Sequence, residues 1–314
     1  MTALLLAASL FTFVEFNCEN LFDCVHDSLK NDYEFLPSSP RHWDRHKYWE
    51  KVNEVARTVL SCGEEGGQEW NLPDMVALCE VENDSVLHDL VHRSLLRKAG
   101  YEYVMTQSDD ERGIDVALLY SPFTFRLLTH TAIRIPPEPR QHPTRDLLYA
   151  KGLVRSGDTL HVIVVHAPSR ASGKAKSNGY RVRVAQAVAH TADSIRAHND
   201  GALILVAGDF NDYQGNDALV LLQRHALTDV SQQAVGRNGA KATYKYRGKW
   251  GSLDHVFVSN GLFTLFSACR IHDESFLIEE DERYGGVQPR RTYVGKRYHG
   301  GVSDHLPLVA VFRL

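Results

Sequence analysis

A chain of 314 residues, 43% hydrophobic and 24% charged, can bury a large core and has the composition of neither a disordered nor a fibrous protein. Its formal charge of -4 supplies no global basic field, so any attraction to nucleic acid has to come from local patches, which weighs against tight nonspecific DNA binding. Five cysteines without a C-x-x-C pair argue against a zinc site or a dense disulfide framework, and no stretch approaches the 18 or more apolar residues of a membrane span.

The opening MTALLLAASL resembles the apolar core and small-residue end of a signal peptide, but no Lys or Arg precedes it and a strand pattern follows at once. An exported protein and a cytoplasmic one both stay open, with residues 1–10 as a signal-peptide remnant in the first case. Residues 11–17 alternate as a strand and end in Asn17, Cys18, Glu19 and Asn20. A polar, turn-rich loop over 27–43 leads to a helix at 45–60, where Val52, Val55, Ala56, Val59 and Leu60 share one face. Residues 73–80 repeat the opening pattern, a buried strand closing on Glu80.

A helix is expected at 85–99 and a strand at 101–106. RGIDVALLY, residues 112–120, then begins rather than ends with charge. Strands follow at 125–135, 148–154 and 160–165, the last two joined by a hairpin at Ser156-Gly157-Asp158. His166 to Arg170 close that run, and a loop over 171–179 precedes a helix at 180–198. LILVAGDFND, residues 203–212, reads as a strand buried on both faces whose acidic residues fall where it emerges. For that segment alone, an Asx-rich turn is an equal reading. Two later strands, 254–259 and 304–310, start on the Asp-His pairs Asp254-His255 and Asp304-His305, with the apolar 261–266 reading as a further strand and a basic loop over 283–301. No repeat or linker divides the chain, so one domain over 1–314 is the simpler reading.

Glu80, Asp209 and Asp304, with Asn17 and Asn211, form an all-oxygen set suited to a hard divalent cation such as Mg²⁺ or Mn²⁺ and unsuited to zinc. With His166, His255 and His305 added, they suit attack of water on phosphorus. A glycosidase-like acid and base pair is the alternative, although it has no use for so many amides and imidazoles.

In this order, FNCEN, ALCEVEN, RGIDVALLY, VVHAPSR, GDFND, SLDHVFVS and GVSDHLPL resemble the endonuclease/exonuclease/phosphatase superfamily, and its bacterial endonuclease-like branch, over essentially the whole chain. The resemblance implies an α/β (α+β) fold of the DNase I-like type, a four-layered sandwich of two mixed β-sheets packed face to face and flanked by helices. It implies Glu80, Asn17 and Asp304 around Mg²⁺, Asp209 acting on the attacking water, Asn211 holding the scissile phosphate, and His305, paired with Asp254, contacting that phosphate. His166 resembles a second phosphate-side histidine whose acidic partner is not evident in the sequence. Glu19 stands where some relatives have a second acidic metal position, which leaves one- and two-metal mechanisms open.

Arg112 and Asp115 stand as substrate contacts or as a surface ion pair, and His255 reads as structural rather than catalytic. Arg170, Lys174 and Lys176, with Arg290, Arg291, Lys296 and Arg297, stand either as rims gripping a polyanion or as solvated loop charges. The expected activity is Mg²⁺-dependent hydrolysis of DNA phosphodiesters by an endonuclease, acting as a monomer on a weakly held substrate. A sphingomyelinase-like lipid phosphodiesterase and an inositol-phosphate phosphatase are the alternatives, and an inactive binding module is the non-enzyme one.

Overall fold

The computed structural model describes residues 10–66, 69–139, 141–170 and 174–314, and of 64–66, 69–70 and 174–176 the backbone only. The signal-like residues 1–9 therefore lie outside the described residues, as do the side chains of Lys174 and Lys176. Twelve strands form two six-stranded sheets. In the first sheet the order is Phe266–Ile271, Leu308–Arg313, Leu10–Leu21, Met75–Val81, Asp115–Tyr120 and Glu102–Met105. In the second it is Leu227–Asp229, Asp254–Ser259, Leu203–Asp209, Thr159–His166, Leu147–Val154 and Phe125–Ile133.

Both sheets are mixed, and this decides where the polar strand ends meet. Leu10–Leu21 runs parallel to Met75–Val81, so Asn17 lies in register with Cys79, next to Glu80. Leu203–Asp209 runs parallel to Thr159–His166 and antiparallel to Asp254–Ser259, which sets Asp209 beside His166 on one side and Asp254 on the other. Strands that finish in charge and an antiparallel neighbour that starts in charge thus reach the same edge of the sandwich.

Alternation along each strand builds four layers. Val162, Val164, Leu205 and Ala207 pack with Phe13, Ala77 and Cys79 in the core between the sheets. Their neighbours Ile163, Val165, Ile204 and Val206 meet Val184, Val188 and Ala192 of helix Lys174–His198 and Leu219 and Leu222 of helix Asp217–Arg224. On the outer side of the first sheet, helix Arg45–Ser61 buries Val52, Val55, Ala56 and Val59, and Asp44 caps it by accepting from Lys47 N at 3.0 Å.

Several expected elements differ. The last strand starts at Leu308 and not at Asp304, since Pro307 has no N–H to give a ladder, and the basic loop over 283–301 carries the short strands Val287–Pro289, Tyr293–Val294 and Arg297–Tyr298. The second long helix begins at Lys174, six residues before the expected start, because its polar first turn carries no apolar face to announce it. The expected helix 85–99 is an α-helix at Asp84–His92 followed by a 3₁₀ turn at Leu95–Lys98, and Ser94 caps the turn through Leu96 N at 3.0 Å. Residues 261–266 are not a strand: Ser259 caps a helical turn at Asn260–Phe263, and the strand starts only at Phe266. An N-cap hydroxyl outweighs the β-like composition of that run. All five cysteines are free thiols, and among the described residues no helix is long and apolar enough to cross a membrane.

Candidate active site

Backbone conformation fixes the site first. Glu80 (φ 63°), Asn211 (φ 49°), Glu19 (φ 50°) and Asn20 (φ 59°) all hold left-handed conformations at the ends of their strands, a strained state that clusters where side chains must be aimed. Gly208 (φ 146°) has a different reason: a Cβ there would lie 1.8 Å from Val165 O, so only glycine lets the two central parallel strands close up beside Asp209.

Asp209 is buried at the centre. Its Oδ2 accepts from Asn17 Nδ2 at 3.0 Å and Asn211 Nδ2 at 3.1 Å, and its Oδ1 from Asn211 N at 2.7 Å. Burial pushes its carboxyl up to about 7, the His305 imidazolium opposing and the Asp254 carboxylate reinforcing that rise. His166 Nε2 lies 3.7 Å from both Asp209 Oδ2 and Glu80 Oε1, so these two carboxylates are the acids beside it. Burial, with Arg145 and Arg112 nearby, holds His166 well below its usual range and hence neutral, and its Nδ1 is buried without a hydrogen-bond partner among the described residues.

His305 Nδ1 donates to Asp254 at 2.8 Å, and Thr243 Oγ1 donates to the same carboxylate. Burial alone would lower His305, but Asp254 and, more weakly, Asp209 and Asp304 outweigh it and keep the imidazolium charged well above its usual range. Tyr244 forms a β-bridge with His305 and lays its ring 5.0 Å from the imidazole.

The remaining expected residues divide. Asn17 Oδ1 accepts from Glu19 N at 2.9 Å, and Glu80 Oε2 from Asn20 N at 2.8 Å, which ties both to the end of the strand Leu10–Leu21. Asp304 pairs with Arg291 at 2.9 Å. Glu19 accepts from Thr292 N at 2.7 Å, and burial with the Asp304 carboxylate raises it to about 7. Asn211 spends both side-chain protons within the protein, one on Asp209 and one on Ala167 O at 3.1 Å. Arg170 turns toward Asp212 (3.8 Å) and stacks on Tyr213, and Arg112 sits half-exposed beside Asp110. Asp115 is buried on Thr106 Oγ1 and Ser108 N, a structural role that removes it from the substrate contacts. His255 bridges Asp229 Oδ2 (2.9 Å) and Asp212 O (3.1 Å) in the core.

Three residues escaped the sequence reading. Arg145 is buried, donates to Asp110 and to Ala167 O at 2.8 Å, and keeps a buried Nε without a partner. Lys51 is a buried ammonium on Thr292 Oγ1 (2.6 Å) and Val302 O, with Glu19, Asp304 and Glu80 among the anions offsetting its burial. Glu15, two residues before Asn17 on the same strand face, is buried with both carboxyl oxygens unpartnered, and burial next to Asp254 and Asp209 raises it well above its usual range. A charged residue inside an apolar run was the one available signal for Glu15, and a lysine on the apolar side of a helix for Lys51.

Oxygen donors crowd here, and the buried Asp209 and Glu19 carboxyls each lie near further carboxylates, a negative charge that a cation would offset, so the residues fit a divalent metal ion. Asp209, Asp254 and His305 also present donor atoms within 4.8 Å of one another, a group able to hold one.

The family model for the endonuclease/exonuclease/phosphatase family matches residues 12–313. The chain belongs to that family of metal-dependent phosphoester hydrolases, and it has the family's DNase I-like fold. Among solved structures, an endonuclease/exonuclease/phosphatase family protein from Bacteroides thetaiotaomicron is similar at TM-score 0.62 and 15% identity, covering 98% of this chain and 99% of that one. TDP2 from Caenorhabditis elegans is similar at 0.59 and 16%, covering 100% and 77%, and a B. thetaiotaomicron mannosyl-6-phosphatase at 0.60 and 15%, covering 96% and 98%. No curated protein matches the sequence.

Proposed function

We propose that this chain is a Mg²⁺- or Mn²⁺-dependent phosphodiesterase that cleaves nucleic acid, as a DNA endonuclease. The observation that carries this reading is Asp209: one carboxylate held by Asn17 and Asn211, raised to about 7 and flanked by a neutral and a charged imidazole. A base poised near neutral pH is what deprotonation of an attacking water requires.

In this reading Glu80, Asn17 and Asp304 hold the ion, with Glu19 at its margin. The Asp209, Asp254 and His305 group serves less well, because His305 is a cation whose Nδ1 proton is committed to Asp254, and a ligand imidazole has to be neutral. When bound, the ion supplies charge neutralisation at the nonbridging phosphoryl oxygens. His305 offers its Nε2 proton to the phosphoryl group, Asp254 holds the ring in that tautomer, and His166 lines the same side. Asn211, with both protons spent, orients Asp209 rather than gripping the phosphate. Arg145 fixes Ala167 and adds positive potential beside the phosphate.

The likeness to a mannosyl-6-phosphatase favours a phosphomonoester as the second reading. A parallel assay of plasmid DNA, abasic duplex, RNA, sphingomyelin, inositol polyphosphate and mannose 6-phosphate, with Mg²⁺ and with EDTA, separates the two readings. The expected result is metal-dependent cleavage of nucleic acid, lowered by about 10²–10⁴-fold in Asp209→Asn. Turnover of lipid or monoester alone defeats the nuclease reading, and full activity of Asp209→Asn defeats the assignment of the base.

A further inference from the structure

Three large apolar side chains that stand out in solvent, Tyr246 (55% exposed), Tyr284 (48%) and Val294 (53%), line one groove of about 630 Å³ that ends at Arg291 and Asp304. Two arginines share it, each on its own tyrosine: Arg247 lies 5.2 Å from the Tyr246 ring centre and Arg283 5.1 Å from that of Tyr284. Each pair therefore presents an aromatic face and a cation side by side.

The groove wall is already built. It consists of two hairpins, Tyr244–Tyr246 with Lys249–Gly251 and Ile278–Glu280 with Val287–Pro289. Lys245 clamps them together through Asp281 at 2.7 Å and through Gly285 O and Val287 O at 3.0 Å each. The turn at Gly248 presses on the second hairpin so closely that a Cβ there would meet the Tyr284 ring at 2.7 Å. A ligand entering this groove does not have to order its walls. The first hairpin also carries Tyr244, which lies against His305, so the groove and the reacting centre share one rigid element.

A sugar phosphate would leave both tyrosine faces in water, and duplex DNA has its base faces already stacked. Unpaired bases stack on exposed tyrosines, and the phosphates between them suit guanidinium groups. We propose that this groove binds single-stranded nucleic acid, with bases against Tyr246 and Tyr284 and backbone phosphates on Arg247 and Arg283, leading the strand to Asp304. The proposal rests on the phosphodiesterase reading of the adjoining site and adds to it an unpaired strand as the substrate class.

Fluorescence anisotropy of a labelled oligothymidylate, in EDTA and at fixed salt, tests it without turnover. The wild type is expected to bind the single strand tighter than the matching duplex. Tyr246→Ala with Tyr284→Ala should weaken single-strand binding by about tenfold or more, and Tyr246→Phe with Tyr284→Phe should retain it. Equal affinity for duplex, no binding by the wild type, or wild-type affinity in the double alanine variant would each overturn the groove assignment. Absence of metal-dependent nucleic-acid cleavage by the wild type would instead sink the phosphodiesterase reading while the anisotropy still decides the groove.

Discussion

Asp254 illustrates how much one buried carboxylate decides. It accepts from His305 and Thr243 and lies beside Asp209 in register, so the same anion keeps His305 charged and adds to the burial that makes Asp209 hard to ionise. Asp254→Asn should therefore cost about 10²-fold or more in kcat. The alkaline limb of the pH–rate profile should move to lower pH, because His305 then loses its proton earlier; an unmoved limb would remove His305 from the charged groups of the reaction. Glu15 makes the opposite point. A carboxyl buried with two unpartnered oxygens disfavours the folded state wherever the unfolded chain would ionise it. Its folded value lies above its unfolded one, so the cost is largest at neutral pH and vanishes as pH falls to the ordinary glutamate range. Glu15→Leu is expected to raise unfolding free energy by ~1–3 kcal/mol at pH 7, and by less near pH 4.5, in urea titrations at both pH values.

At the scale of an element, the strand Leu203–Asp209 works because its penultimate residue is glycine. Gly208→Ala would drive a methyl group into Val165 O, and the strand that carries His166 would have to move. A loss of about 3 kcal/mol or more in stability is expected, with activity falling further than stability alone explains; a fully stable, active variant would show that the close approach is dispensable. The hairpin Tyr244–Tyr246 with Lys249–Gly251 is the other decisive element, since it supports His305 on one side and the Tyr246 face of the groove on the other.

Over the whole molecule, a net charge of -4 makes binding of a polyanion a matter of local geometry. With two or three groove arginines meeting phosphates, the slope of log K against log salt for a single strand should lie between about -1.4 and about -2. A much steeper slope measured by the same anisotropy titration would mean that a larger basic surface does the binding.

The strand pattern, the family and most of the polar strand ends were legible in the sequence, because buried strands need apolar runs of one period and the acidic residues sit where those runs stop. The sequence placed Glu80, Asp209 and Asp254 at such ends, whereas Asn17 lies within Leu10–Leu21 and His305 precedes Leu308–Arg313. Which ends meet depends on the packed chain: parallel pairing of Leu203–Asp209 with Thr159–His166 puts His166 beside Asp209, and packing of one sheet on the other brings Asn17 Nδ2 to the same carboxylate across 192 residues of chain. Packing also makes Asp115 a buried partner of Thr106 and Ser108, Arg145 and Lys51 buried cations near the site, and two tyrosines from separate hairpins the walls of one groove. Those facts depend on contacts between distant segments, which local periodicity and turn chemistry do not encode.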